Sequence, residues 1–285
     1  MLSLNEKAFI QQGIKEGNRT DGRGVSEHRE IEIKHELIDR RGSTVCFPTS
    51  LAVCRLGKTE VKTTATLDIS TPSEKRPKEG KVRFDVKILQ MAAAGQGLKR
   101  KSSLEAEHLL VGEMERLYKT NRALEADALC ILAGEKVWSV FVDVSVVFDD
   151  GNLVEAVSAC VLTALYGARR NDFSVEDETL TIHSSYDKEL VPLLLNSYPL
   201  CTAFSVFCEK EEPSSVFFVV DATRMEESVE KTRVTVGYDA RSGKVVSFSK
   251  HGGEAIAAST VFDGLSRGIK RARSVYQKIK DAVLK

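Results

Sequence analysis

Apolar and polar positions follow two rhythms along this chain. Ile31 and Ile33 alternate with polar neighbours, and Ser43–Phe47, Ser50–Arg55, Glu60–Ile69 and Lys81–Gln90 are short runs rich in Val, Thr and Phe. Alternation of period two with β-branched and aromatic enrichment predicts strands. Leu200–Glu209, Ser215–Asp221, Arg233–Tyr238 and Lys244–Ser249 repeat that pattern in the second half. Helical spacing governs the segments between. Ser3 and Glu6 form a capping box ahead of Phe9, Ile10 and Ile14, which predicts a short helix ending near Gly13 or Gly17. Ser102 or Ser103 can cap a helix to about Lys119 with Leu104, Leu109, Leu110, Met114 and Leu117 on one side. A third helix runs from about Asn152 to Arg169. A long terminal helix carries Ile256, Val261, Phe262, Leu265, Ile269, Ala272, Tyr276, Ile279 and Val283 at helical spacing beyond Gly252-Gly253.

The most informative stretch is Leu129 to Ala156. It reads as a strand, a tight turn at Ala133-Gly134-Glu135-Lys136, a second buried strand over Val137–Phe148, and a loop Asp149-Asp150-Gly151-Asn152 that opens the third helix. A helix start of that kind offers unpaired N–H groups and a positive dipole end, which suit a phosphate. Leu153, Val154 and Glu155 follow, so no local hydroxyl, lysine or arginine faces the anion and a carboxylate sits in the first turn. The architecture of a phosphate site is present while its chemistry is missing.

Composition narrows the class. Apolar residues make up 42% and charged residues 29% of 285 positions, as in ordinary globular proteins. The longest apolar run, Val137–Phe148, is interrupted by Ser139, Asp143 and Ser145 and is too short for a bilayer; the first residues lack the pattern of a signal peptide. Cys46, Cys54, Cys130, Cys160, Cys201 and Cys208 contain no CxxC pair, which predicts buried free thiols. His28, His35, His108, His183 and His251 are scattered without zinc-like spacing, so neither a metal site nor a cofactor is assigned. The 41 basic and 41 acidic residues cancel, so any nucleic-acid binding must come from local patches.

Arg19-Thr-Asp-Gly-Arg23, Gln90-Met-Ala-Ala93, Leu129-Cys-Ile-Leu-Ala-Gly-Glu-Lys-Val-Trp138, Asp143, Asp149-Asp-Gly-Asn152 and Val191-Pro192 occur in order and at family-like spacing. Over nearly its whole length, from about Phe9 to Ala282, the chain resembles the RNase PH-like ring subunits of the eukaryotic RNA exosome. The resemblance implies an α/β (α+β) fold of two βαβα-like halves, of the ribosomal protein S5 domain 2-like kind. Residues 1–17 would be a helical extension and 18–285 the RNase PH-like domain, with halves of about 18–150 and 151–285. It further implies head-to-tail pairing into a hexameric ring around a channel for single-stranded RNA, cap subunits with S1 and KH domains, a separate hydrolytic nuclease, and residence in nucleus, nucleolus and cytoplasm.

Active members of the family cleave RNA from the 3′ end with inorganic phosphate. Their cradle, GG(S/T)R, falls here on Gly151, Asn152, Leu153 and Val154, without hydroxyl or guanidinium. Their acidic D-x-x-x-x-E-D…D pattern opens with Asp221 and Glu226, but its later positions are Glu227 and Arg233; an arginine of the first long helix falls near Ala106. Phosphoryl transfer rests on positioning and charge, so these departures predict a ring subunit without catalysis that guides RNA. An active phosphorolytic exoribonuclease and a pure scaffold are the alternatives.

Arg116 and Lys119 match the family's basic pair (RSLR), which in ring partners faces the neighbour's active site. The alternative for Arg116 is an i,i+3 pair with Glu113. Lys99, Arg100 and Lys101 either track RNA backbone or form a solvated basic loop; Arg76 and Lys78 are candidates for a channel neck. Arg169-Arg170 and the group Arg267, Lys270, Arg271 and Arg273 are expected on solvated or subunit-facing surfaces. Trp138 is expected in the core or an interface, and Asp21 and Arg23 are expected to fix their turn.

Overall fold

A computed structural model of the chain describes residues 3–38, 47–89, 100–176, 179–184, 187–208, 216–253 and 255–284. The expected strand over Ser43–Phe47 lies almost entirely outside these residues, as do Gln90–Lys99, Cys46 and the side chain of Cys208.

Strands β1 (Ile31–Ile38), β2 (Thr49–Leu56), β3 (Thr59–Ser70), β4 (Lys81–Ile88), β5 (Cys130–Leu132) and β6 (Lys136–Phe148) form one sheet in the order β1-β2-β3-β6-β4, with β5 paired to β6. Among these described strands, only β4 runs parallel to its partner β6. That parallel pair needs a crossover, and helix α1 (Leu4–Lys15) precedes it while α2 (Arg100–Glu115) supplies it. Two two-stranded sheets, β7 (Arg169–Arg170) with β10 (Val191–Pro192) and β8 (Phe173–Glu176) with β9 (Thr179–Ile182), follow helix α3 (Leu153–Gly167). They are too short to show periodicity. The second large sheet is antiparallel, β11 (Pro199–Cys208), β12 (Val216–Val220), β13 (Thr232–Asp239) and β14 (Val245–Gly252), in the order β12-β11-β13-β14. Helix α4 (Arg224–Glu227) links β12 to β13, and α5 (Ala258–Val283) ends the fold.

Helix α3 explains its own composition. Apart from Leu153, Val154 and Tyr166 all of its residues are buried, because it packs on β2 and β3 of one sheet and β11 of the other. Trp138 is fully buried on β6, edge-on to Phe47 with ring centroids 5.5 Å apart. Helix α1 carries the expected capping box, and Ile10 and Ile14 join Phe207, Val219 and Val229 in a smaller core.

Three expectations need correction. Helix α2 begins at Arg100, so Ser102 and Ser103 lie inside it, and its last turn is a π-turn over Arg116–Thr120. Its buried stripe is Leu110, Met114 and Leu117, while Leu104 and Leu109 face outward, because about 100° per residue puts one on each flank of that stripe. Phe262, at the solvent side of α5, is 68% exposed. Among the described cysteines Cys54, Cys160 and Cys201 are buried free thiols and Cys130 is half-buried. Among the described residues no helix is long and apolar enough to cross a membrane, and no group of His, Cys, Asp and Glu is arranged to hold a metal ion.

Candidate functional site

The start of α3 sits at the centre of two charge networks. The first is structural. Asp221, fully buried with φ of 50°, accepts hydrogen bonds from Arg29 backbone N (2.7 Å), Arg29 Nε (3.0 Å) and Nη2 (2.8 Å), Arg23 Nη1 (2.9 Å) and Asn152 Nδ2 (2.7 Å). Burial pushes its carboxyl up, but the Arg29 hydrogen bonds and charge outweigh that and hold it well below the carboxylate range. Arg19 holds Glu226 with two bonds of 2.9 and 2.7 Å and donates to the carbonyls of Val220 and Asp221. Arg19-Thr-Asp-Gly-Arg23 therefore clamps the β12–α4 corner, and Arg23 also closes its own turn onto Asp21 at 2.6 Å.

The second network lines a cavity of about 440 Å³. Ala106, Leu153, Val154, Glu227 and Arg233, the five positions singled out from sequence, all border it. Sequence separation is large, and the topology brings them together: Ala106 comes from α2, Leu153 and Val154 from the start of α3, Glu227 from α4 and Arg233 from β13. Leu109 and Leu110 extend the apolar wall, and Arg224, Glu230, Lys231, Thr232, Thr235, Glu113 and His251 complete the polar one.

Two arginines from other elements approach the helix start through Glu227. Arg233 Nη2 contacts Glu227 Oε1 at 2.9 Å and Glu230 Oε1 at 2.7 Å, and Arg224 Nη1 donates to Glu227 Oε2 at 3.0 Å. Glu227 Oε1 in turn accepts the Asn152 backbone N–H at 2.8 Å. Burial opposes the charge of Arg233, and Glu227 and Glu230 more than compensate, so it stays protonated above its ordinary value; burial pushes Glu230 up. Glu155 does not face this cavity: it is buried and accepts from Arg271 Nε at 2.8 Å and Asn152 Nδ2 at 2.9 Å. Arg271 is thereby an interior residue rather than a surface one. Arg224 and Glu230 escaped the sequence reading. Their i,i+3 spacing to Glu227 and Arg233 was the only signal, and such pairs are common on solvated helices.

The RNA candidates divide. Lys99 lies outside the described residues, and Arg100 and Lys101 open α2 with side chains outside the described set. Arg116 reaches Glu113 at 3.4 Å and Lys119 reaches Glu115 at 2.6 Å. Arg76 pairs with Glu79 at 2.8 Å, yet it shares a second cavity, of about 300 Å³, with Lys119 and Arg122. Arg122, at φ of 48°, was not singled out from sequence. Lys78 is exposed on the same loop. Arg170 sits over the Trp138 and Phe173 rings and Arg267 over Phe218, so both are held by aromatic faces.

Comparison with known proteins places this geometry. The chain is 30% identical over 254 residues to exosome complex component RRP45 of Danio rerio, spanning 88% of this chain and 60% of that protein. It is 29% identical over 287 residues to exosome complex component RRP45A of Arabidopsis thaliana, covering 99% and 87%. The chain thus spans less than two thirds of the zebrafish relative. Among solved structures, an Archaeoglobus fulgidus exosome with RNA bound to the active site superposes with a TM-score of 0.74 at 24% identity over 96% of this chain and 97% of that one. An archaeal exosome core gives 0.72 at 24% identity, over 97% and 96%. These two show the fold, an RNase PH-like one. Residues 27–171, just over half of the chain, match the model of the 3′ exoribonuclease family, domain 1, and the chain belongs to that RNase PH family.

Proposed function

We propose that this chain is a ring subunit of an exosome-type complex that guides RNA without cleaving it. The observation that carries the reading is the composition of the 440 Å³ cavity. Where an attacking phosphate needs donors, Leu153 and Val154 present methyl groups, and Arg224 and Arg233 are paired with the chain's own carboxylates, which leaves Lys231 as a further cation on the cavity wall. Phosphoryl transfer without donors placed at the helix start has lost a main source of acceleration. Similarity to proteins named exosome complex component RRP45 supports the assembly, and the RNA in a structure of the same fold supports the ligand.

In this reading the partners are other RNase PH-like subunits in a head-to-tail hexameric ring, cap subunits, a hydrolytic nuclease and single-stranded RNA passing the channel for 3′–5′ processing or decay, in nucleus and cytoplasm. Arg76, Lys119 and Arg122, on a cavity rim that also carries Glu79, Glu125 and Asp127, are the cations assigned to the RNA backbone, with Arg116 apart from them on Glu113. Phosphate contacts need only placed cations and carry no sequence preference.

The test is release of nucleoside diphosphates from a labelled oligonucleotide in the presence of inorganic phosphate. The purified chain, and a reconstituted ring in which every other active site is inactivated, are both expected to be inert. Phosphate-dependent shortening by either would establish the active exoribonuclease instead.

A further inference from the structure

A side chain of the same molecule meets the start of α3. Glu227 Oε1 accepts the Asn152 N–H at 2.8 Å and contacts Arg233 at 2.9 Å, while Oε2 accepts from Arg224 at 3.0 Å. Its side chain is 6% exposed. One carboxylate thus collects a backbone donor at the positive end of a fifteen-residue helix and two guanidinium groups from two different elements, α4 and β13. Those are the donors from which protein sites for oxyanions are built.

We infer that Glu227 is an internal oxyanion: its carboxylate occupies the position at which Asn152 N–H, Arg224 and Arg233 would hold inorganic phosphate, and so keeps that ligand out. The inference rests on the proposed reading of this cavity as a degenerate phosphate site, and adds why the pocket stays closed although two arginines border it. The glutamate side chain brings its carboxylate to the helix start. Glu113, Lys231 and His251 line the same cavity, and Glu230, on Arg233 at 2.7 Å, and Asp149, 3.8 Å from Arg224, face the position as well. Neither bonds Asn152 N–H, so removing Glu227 frees a backbone donor and most of the Arg224 charge, while Arg233 keeps one partner.

The experiment titrates inorganic phosphate, against chloride at matched ionic strength, into the full chain and into Glu227→Ala, followed by phosphorus-31 NMR and by the Asn152 amide resonance. The wild-type chain is expected to show no saturable binding. The variant is expected to bind at least about tenfold more tightly, with the Asn152 amide shifting, as one charge-assisted hydrogen bond is sufficient for that factor. Adding Arg224→Ala to the variant should abolish the gain. Glu227→Ser removes both the charge and the reach that fills the position while leaving a hydroxyl, and decides the matter if the alanine variant does not fold. Saturable phosphate binding by the wild type, or a folded variant without gain, overturns the inference. Nucleoside-diphosphate release by the wild type would instead overturn the reading of the chain as non-catalytic, so the two failures are distinguishable.

Discussion

Arg29 grips Asp221 from both sides of the carboxylate: Nε lies 3.0 Å from Oδ2 and Nη2 lies 2.8 Å from Oδ1, with the Arg29 backbone N–H 2.7 Å from Oδ2 as well. Asp221 stands at φ of 50°, a left-handed conformation that Asp and Asn tolerate better than other residues with a Cβ. Asp221→Asn therefore keeps the backbone and removes only the charge, leaving Arg29 and Arg23 facing a neutral buried amide. Breaking a buried ion pair by neutralising one partner costs about 3–5 kcal/mol. The expected outcome is a fall of that size in the urea unfolding free energy; a change below about 1 kcal/mol would mean that the network does not hold the β12 corner.

The same carboxylate sets an acid limit. Its folded-state value lies below that of an unfolded aspartate, despite burial, because Arg29 outweighs desolvation. A depressed carboxylate stabilises the fold fully above the unfolded value of about 4, and that contribution is lost as pH falls through the folded value. Asp239, held low against burial by Ser242 and by the N–H groups of Tyr198, Ser242 and Arg241, acts in the same direction. Unfolding free energy followed from pH 6 downward is expected to decline below about pH 4, and Asp221→Asn should flatten that decline.

The elements were readable because each carries its own period: the capping box of α1, the alternation of β3, and the apolar helix after Asn152 all act locally. The five positions Ala106, Leu153, Val154, Glu227 and Arg233 were picked out by family spacing, and the fold gathers them around one cavity. What could not be read is pairing at a distance. Arg19 meets Glu226 and Arg29 meets Asp221 across about two hundred residues, and Arg271 meets Glu155 across more than a hundred. The reach of Glu227 back to Asn152 depends on the height of α4 above α3, which no local pattern encodes. Periodicity also failed at Leu109 and Phe262, where an apolar side chain at helical spacing faces outward.

The three cations on the mixed-charge rim of the smaller cavity give an RNA prediction. Arg76 and Lys119 have side chains 70% and 44% exposed, so charge reversal there should leave stability within about 0.5 kcal/mol. In an assembled ring, Arg76→Glu, Lys119→Glu and Arg122→Glu are each expected to weaken RNA crosslinking without sequence preference. Each should also reduce the slope of log affinity against log salt by about 1 for every phosphate that is no longer neutralised. Unchanged affinity and slope in the triple variant would favour a scaffold that does not touch RNA.

Gly151 decides how closely α4 approaches α3. Its φ is 90°, and a Cβ added there would lie 2.6 Å from Ala222 O, Arg224 N and Thr223 C, all of them backbone atoms that cannot swing aside. Gly134, in the β5–β6 turn, has a similar φ of 84° but open space around it. Alanine at Gly134 therefore measures conformational strain alone, about 1–2 kcal/mol for an L-residue in that region. Alanine at Gly151 carries the same strain and must also push the Ala222–Arg224 segment off the helix start, which lengthens the bond between Arg224 N and Asp150 O and the one from Asn152 N to Glu227. The expected result is a destabilisation of Gly151→Ala exceeding that of Gly134→Ala by about 1 kcal/mol or more, with hydrogen-exchange protection at the Asn152 amide lost only in the former. Equal effects of the two substitutions would mean that the α4 segment yields freely, and that the carboxylate of Glu227 is not held against the helix by the backbone around Gly151.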